Sequence, residues 1–537
     1  MAGMNPTPSP VARPNPWLLV ASILLAAIAP LPAAAAGKAK HVVIVVMDGL
    51  RRDSVVDADM PNLSKLAKAG TFFAAHHPVY VSSTEVNGTA LATGMRPGRS
   101  GVLGNYEYRP DVELLQPVAT QQEWAAWKGD QLSGGKWIKV ETLPEIVRAN
   151  NMKSVVAGTK GIAMLWDRRW EGRTPDQPTL YAGDTIPAAV KDSLVQSFGP
   201  IPPSRDGRYF ANTGQDHWTT RALIDKFWAN GVPALSVLWL SEPDFSQHGV
   251  GMGDKVARQG LKSSDDCLGK VLAFLDSAKL RDVTDVIVTS DHGFSTVATG
   301  IEVMEELRRK GFDAGGAFLE KPERGSVMMV GLGGSIAFYV GERDKVVTQN
   351  LVRHLQGTPY AGVIFTREKL EGTFLMADAG VDAPEGADVL LSMRWSAETP
   401  PRDGGMPGAL LIEGKGYKPG QGMHGSLSRF DMMNTLIAAG PDFKAGHRSD
   451  VPSGNGDVAP TVLAILGITP KEAMEGRVLA EAMADAKEAA PKVETAVMTA
   501  KTKLPTGREW AQYLKVSTVN GRRYYDEGNA GAAPEGK

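Results

Sequence analysis

Three short runs constrain this chain more than anything else in it: HVVIVVM at His41–Met47, ALSVLWLS at residues 234–241 and DVIVTS at residues 285–290. Each is a continuous apolar, mostly β-branched stretch of strand length, the pattern of a strand buried on both faces. Helical patterns stand between and after them: PNLSKLAKAG from Pro61, TLPEIVRANN from Thr142, TTRALIDKFWAN from Thr219 and KVARQGLKSSDDCLGKVLAFLDSAK from Lys255. Strands alternating with helices predict an α/β fold with a central, mostly parallel sheet flanked by helices. At 537 residues, 43% of them hydrophobic, the chain can bury at least one large core.

Two stretches break the alternation. Residues 107–139 are polar and Trp-containing without a strong period, and residues 313–407 mix short strands with Gly and Pro turns. Both read as insertions in a catalytic domain spanning residues 37–490, placed to wall a substrate cleft. The remaining residues, 491–537, read as a C-terminal tail in which VSTVNGRRYYDEG suggests an Asn-Gly hairpin and the last residues look disordered.

The first 36 residues carry Arg13, the apolar run WLLVASILLAAIA, Pro-Leu-Pro and then the alanines that run up to Gly37. That order is a secretory signal peptide cut near Ala35 or Ala36. Its apolar run, residues 17–29, is short of the roughly 20 residues a bilayer span requires, so no stable membrane span is expected after cleavage. The chain is accordingly expected to be exported, to a periplasmic or extracellular location. Cys267 is the only cysteine, so intrachain disulfides are excluded and any metal must be held by His and carboxylates. A formal net charge of −2 with no long Lys/Arg block argues against binding of duplex nucleic acid.

The residues just past each buried strand carry the chemistry. HVVIVVM ends in Asp48-Gly49, VLWLS leads into Glu242-Pro243-Asp244-Phe245-Ser246-Gln247-His248-Gly249, and VIVTS ends in Asp291-His292-Gly293. In open α/β sheets, ligands bind outside the carboxyl ends of the strands, so Asp48, Asp244, His248, Asp291 and His292 reach one edge. The Pro before and the Gly after the Asp-x3-His pair favour a tight loop there, while Asp291 and His292 can serve one site only if the backbone leaves the strand, which Gly293 eases. His424, in the Gly-rich KGYKPGQGMHGSLSRFD, is a further candidate, whereas His41, His76, His77, His217, His354 and His447 read as structural or surface residues. Imidazoles and carboxylates without thiolate suit Zn²⁺ or a similar divalent ion. Three His and three Asp exceed one tetrahedral site and divide into two, the arrangement in which two ions roughly 4 Å apart clamp an in-line phosphoryl displacement. Ser82, Ser83 and Thr84, in HPVYVSSTEVNGTALATG, are either a helix cap or the setting of a nucleophile that such ions would activate.

MDGLRRD, PNLSKLAKAGTFF, the Thr84 segment, ATGMRPGRSGVLGN, SEPDFSQHG, TSDHGF, GMHGS and PSGNGDVAPTVLAILG, in that order over residues 42–467, resemble the alkaline phosphatase superfamily, in particular its nucleotide pyrophosphatase/phosphodiesterase branch. The resemblance implies an alkaline-phosphatase-like fold and two zinc ions. One would be held by Asp48, Asp291, His292 and the Thr84 hydroxyl, the other by Asp244, His248 and His424. It also implies attack on a small phosphate-ester substrate by Thr84 through a phospho-threonine intermediate, with Asn105, 21 residues beyond Thr84, binding a phosphate oxygen. Asn87 fits a further motif position, with a local bond at the helix start as its other explanation. Nucleotide diesterases of this branch carry Phe after the nucleophile, to stack a base; Glu85 stands here, which puts nucleotide specificity in question. Lys160 resembles a phosphate-binding Lys of periplasmic phosphomonoesterases in the superfamily, although their Arg two residues later is Ile162 here. The expected function is a phosphodiesterase; the alternatives are a phosphomonoesterase or phosphonate hydrolase with the same metal site, and a non-catalytic binding protein on the same fold. A sulfatase is disfavoured, because SSTEVNG lacks the Pro and Arg of that nucleophile motif. The sequence leaves the oligomeric state open.

Overall fold

A computed structural model describes Gly3 and residues 37–169, 174–401, 404–486 and 490–532. The leader expected at residues 1–36 lies, but for Gly3, outside the described residues, as do residues 533–537. The centre is a nine-stranded sheet in the order His447–Ser449, Thr71–Phe73, Leu436–Ala439, Thr284–Thr289, His41–Met47, Leu235–Leu240, Ser154–Gly158, Thr179–Tyr181, Asp184–Ile186. The five strands from Thr284–Thr289 to Thr179–Tyr181 run parallel; Leu436–Ala439 and Asp184–Ile186 are antiparallel to their neighbours.

The three apolar runs lie at the middle of this sheet, and period-2 geometry explains their composition. Val42, Ile44 and Val46 face one apolar core with the helices Thr84–Thr93, Leu143–Ala149, Ile162–Trp166 and Val458–Ile465. Val43, Val45 and Met47 face a second core under Pro61–Ala69, Thr213–Arg221 and Lys255–Ser277. All six are fully buried, at roughly 1.5–3 kcal/mol for each large apolar side chain. A polar residue at any of them would face a helix layer rather than water, which is why the runs are unbroken.

Residues 313–407 build all of a second, six-stranded sheet centred on Val327–Gly331, Ser335–Val340, Val389–Met393 and Ala361–Thr366, with the helix Lys345–Gln356 against it. The C-terminal residues form a three-stranded antiparallel sheet, Val493–Lys503, Glu509–Val519 and Arg522–Ala530. Its last two strands turn at Asn520-Gly521, both at positive φ, as a tight hairpin demands. Leu514, Val516 and Tyr525 pack into the core of the second sheet, and Trp395 Nε1 donates to the Gly528 carbonyl at 2.7 Å. No helix among the described residues is long and apolar enough to cross a membrane.

Candidate active site

The carboxyl ends of the parallel strands deliver the acids. His41–Met47 stops at Asp48-Gly49, where Gly49 turns at φ 69° and a Cβ would meet Asp244 Cβ at 3.0 Å. The Gly49 N–H donates to Asp291 Oδ1 at 3.0 Å, tying two strand ends together. Thr284–Thr289 ends before Asp291, and the chain leaves the sheet with Gly293 so close to residues 430–433 that a Cβ would sit 2.0 Å from the Phe430 carbonyl. Asp244 and His248 differ from the tight loop read from sequence. They occupy one turn of the helix Asp244–Val250, four residues apart, so that the helix itself sets them on one face. Pro243 precedes the helix, where its missing N–H costs nothing, and Gly251 ends it at φ 72°.

Two trios result, Asp48 with Asp291 and His292, and Asp244 with His248 and His424, each with ligand atoms within 4.8 Å of one another. His292 Nε2 lies 3.2 Å from Asp291 Oδ2 and 3.7 Å from Asp48 Oδ1. Asp244 Oδ1 lies 3.2 Å from His248 Nε2 and 3.7 Å from His424 Nε2, without hydrogen-bond geometry. The His292 and His424 rings stack at 3.6 Å, joining the trios into one centre.

The histidine tautomers are set by their backbone partners. His292 Nδ1 is 2.9 Å from the Gly293 carbonyl, His424 Nδ1 2.9 Å from the Ser82 carbonyl, and His248 Nδ1 3.1 Å from the Gly422 carbonyl. A carbonyl only accepts, so each Nδ1 carries a proton and each ring turns its Nε2 into its trio, the orientation found in metal-ligating histidines. Burial lowers the pKa of His292 and, joined by His292, holds His424 well below its ordinary value. On the acid side, Asp48 Oδ1, Asp244 Oδ1 and Asp291 Oδ2 are buried without a hydrogen-bond partner among the described residues. Burial, with repulsion from Asp244 and Asp291, raises Asp48 well above its ordinary value, and burial raises Asp291. For Asp244, burial is outweighed by Lys160 and the two histidines, which hold it well below that range. Buried carboxylates cost several kcal/mol each unless a cation meets them, and unpaired oxygens opposite Nε2 lone pairs are the donor set of a divalent ion.

Thr84 opens the helix Thr84–Thr93, with Oγ1 3.3 Å from His292 Nε2. Its neighbours serve other ends. Ser83 sits at the N-cap but makes no side-chain cap, while Ser82 gives its carbonyl to His424 and its hydroxyl to the Ser426 carbonyl. Asn105 Oδ1 accepts from the Glu85 N–H at 3.2 Å, which places Asn105 against the first helix turn and leaves its amino group as the donor. Asn87 bonds Val79, Val81 and Ser83 of the preceding backbone, a local pin at the helix start. Lys160 Nζ stands 2.9 Å from both Asp48 Oδ2 and Asp244 Oδ2, one carboxylate from each trio. Burial would lower its pKa, but Asp244 and Asp48 outweigh it, so Lys160 stays an ammonium. Burial pushes Glu85 up to about 7 against the pull of Lys160, so its repulsion of anions is weaker than a free carboxylate's.

Several supporting residues carried no readable signal. Trp239 Nε1 donates to Asp48 Oδ2 at 2.9 Å from the adjacent strand. Asn455 donates to the Asp291 carbonyl at 2.6 Å and to Asn87 Oδ1 at 3.0 Å, and its own Oδ1 lies 3.0 Å from both His76 Nε2 and Asn434 Nδ2. It lies in PSGNGDVAPTVLAILG, a stretch that carries part of the family resemblance without marking this Asn. Of the histidines outside the trios, His76 meets Asn455 behind the site, whereas His217 stands against Lys270 and His354 against Glu306.

A model of the type I phosphodiesterase / nucleotide pyrophosphatase family matches residues 42–401. Human ectonucleotide pyrophosphatase/phosphodiesterase family member 1 is 24% identical over 237 residues, 44% of this chain and 21% of that protein. Mouse family member 7 is 23% identical over 284 residues, 52% and 56% of the two chains. A bis(5'-adenosyl)-triphosphatase of Xenopus laevis is 24% identical over 257 residues, 47% of each. The chain thus spans between about a fifth and about half the length of these relatives. Among solved structures, murine ectonucleotide pyrophosphatase/phosphodiesterase 5, an inactive variant in complex with AMP, superposes with a TM-score of 0.56 at 16% identity over 80% of this chain and 96% of that one, a likeness of fold that includes the mostly parallel sheet.

Proposed function

Because the chain belongs to the type I phosphodiesterase / nucleotide pyrophosphatase family, we propose that it is an exported, zinc-dependent hydrolase of phosphate esters, of the phosphodiesterase type, acting through a phospho-threonine at Thr84. One observation carries the reading: three imidazole Nε2 atoms and three buried carboxylate oxygens without a hydrogen-bond partner among the described residues converge in two trios, with the Thr84 hydroxyl against one of them. In this assignment Asp48, Asp291, His292 and Thr84 hold one zinc, and Asp244, His248 and His424 the other. Zinc bound there supplies positive charge that lowers the pKa of a coordinated hydroxyl and stabilises the attacking and departing oxygens. The leader-like residues 1–36 support export.

The protein's own groups do the rest. Thr84 Oγ1 gives its proton to solvent and attacks phosphorus; the new P–O bond forms as the bond to the departing oxygen breaks, and that oxygen takes a proton from solvent to leave as the alcohol. Water then attacks the phosphoryl group, the P–O bond to Thr84 breaks, and Thr84 regains its proton as the phosphate product is released. The Asn105 amino group and the N–H groups of the first helix turn donate to the phosphoryl oxygens, where charge develops. Neutral His292 and His424 keep their Nε2 free of protons, so neither competes as an acid at the centre.

Lys160 favours a second reading. An ammonium 2.9 Å from both carboxylates at the centre supplies a counter-charge that a dianionic monoester uses more fully than a diester. Turnover of methyl 4-nitrophenyl phosphate and 4-nitrophenyl phosphate by the zinc-supplemented protein separates the two. The diester is expected to be hydrolysed with the higher kcat/KM, and Lys160→Met to reduce monoester turnover by about tenfold more than diester turnover, the scale of one charge-assisted contact. Faster monoester turnover by the wild type selects the second reading, and no turnover of either ester contradicts both.

A further inference from the structure

A cleft of about 1140 Å³ opens directly from one trio and not from the other. Asp244 and His248 line it, together with residues 206–208 and 249–250, residues 297–298, residues 398–401 of the second insertion, and residues 416–421 ahead of His424. Thr84, Asp48, Asp291 and His292 are not among its walls. In an in-line displacement the departing oxygen lies opposite the attacking one. With Thr84 beside His292, the departing group leaves on the side of the other trio, two of whose members, Asp244 and His248, stand in the wall of this cleft.

Its walls indicate what departs. Phe245, Val250, Val297, Pro401, Pro419 and the ring of Tyr417 give it apolar faces. The Tyr417 ring stands 5.8 Å from the His248 ring, so it reaches the trio itself. The cations of the wall are Arg208, already bound to Asp206 at 2.6 Å, and Lys418, and Asp206, Asp244 and Glu398 offset them. Among the described residues the wall therefore has no excess of positive charge for a polyanion such as pyrophosphate, whose transfer from water would need one.

We propose that this cleft is the leaving-group subsite, that it takes a bulky ring-bearing alcohol rather than pyrophosphate, and that Tyr417 is its specificity-determining wall. The inference rests on the phosphate-ester reading above and adds to it the class of alcohol released. Tyr417 precedes His424 by seven residues and lies beyond the 42–401 span of the family match.

The test uses the full zinc-supplemented chain and two diesters that share a methyl group and differ in the departing phenol, methyl 4-nitrophenyl phosphate and methyl 4-methylumbelliferyl phosphate. The wild type is expected to favour the larger fused ring by about tenfold in kcat/KM, the scale of one aromatic stacking contact. Tyr417→Leu, which keeps an apolar side chain for packing, is expected to erase that preference through KM, and Tyr417→Phe to keep it. Fluorescence titration with free 4-methylumbelliferone reads the subsite without turnover, with about tenfold weaker binding expected for Tyr417→Leu. Equal turnover of the two diesters by the wild type, an equal effect of Tyr417→Leu on both, or no binding of the free alcohol overturns the subsite. Failure of both diesters alongside normal binding of the alcohol overturns the phosphodiesterase reading and leaves the subsite standing.

Discussion

Thr84→Ala is expected to lower kcat for methyl 4-nitrophenyl phosphate by three orders of magnitude or more, a loss on the order of 10³ or greater being usual when a nucleophile is removed. In the proposed mechanism, deleting the hydroxyl removes the atom that forms the bond to phosphorus, and Ser82 and Ser83 are not expected to replace it. Ser82 directs its hydroxyl to the Ser426 carbonyl, and Ser83 precedes the helix at extended φ and ψ. The fold is expected to remain, because the Thr84 hydroxyl makes its side-chain contact with His292, inside the centre itself. A change in unfolding free energy within about 1 kcal/mol is the corresponding expectation. Thr84→Ser, which restores an oxygen at the same position, is expected to recover part of the rate. Steady-state kinetics with thermal unfolding of the same preparations check both halves.

Chelation is the second large effect. Dialysis against a strong zinc chelator is expected to abolish turnover and to lower the unfolding midpoint, and two equivalents of zinc are expected to restore both. The stability effect is one of mass action: a ligand at about 100 times its Kd stabilises the folded state by about 2.7 kcal/mol. In the proposed assignment that stabilisation would originate at the buried oxygens of Asp48, Asp244 and Asp291, which have no hydrogen-bond partner among the described residues. Asp291→Asn is expected to reduce bound zinc from two equivalents to one by elemental analysis, because it weakens one trio and leaves Asp244, His248 and His424 intact. Full activity in a preparation shown to be free of metal contradicts the two-ion assignment.

How much of this was legible in the sequence differs by layer. The sheet was legible, because Val42 to Met47 must satisfy two cores at once and so form an unbroken apolar run. The strand-end acids were legible for the same reason: a parallel sheet places the residues after each such run at one edge. The geometry of Asp244 and His248 was not. Pro243 and Gly249 around them read as a loop, whereas Gly249 lies inside the helix, which Pro243 precedes and Gly251 ends. The supporting contacts were illegible in principle, since the carbonyls of Ser82, Gly293 and Gly422 that orient the histidines have no side-chain identity to read. Trp239 showed only as one more apolar residue of a buried strand, and its indole N–H on Asp48 emerges from the pairing of that strand with His41–Met47. Lys160 read equally as a loop cation, and its place between two carboxylates depends on three strands meeting. The C-terminal residues showed one hairpin through Asn520-Gly521, while the strand Val493–Lys503, largely exposed and rich in Lys and Thr, gave no alternation to mark it.

The claim at the centre is that Thr84 becomes covalently phosphorylated during turnover. Acid-quenching the zinc-loaded protein on methyl 4-nitrophenyl phosphate within the first turnover, with peptide mass spectrometry of the quenched chain, addresses it directly. The account predicts a methyl phosphate on the peptide carrying residues 82–84, at Thr84, absent from Thr84→Ala. A modified residue elsewhere in the chain, or an unmodified Thr84 in a preparation showing a full burst of 4-nitrophenol, would contradict it.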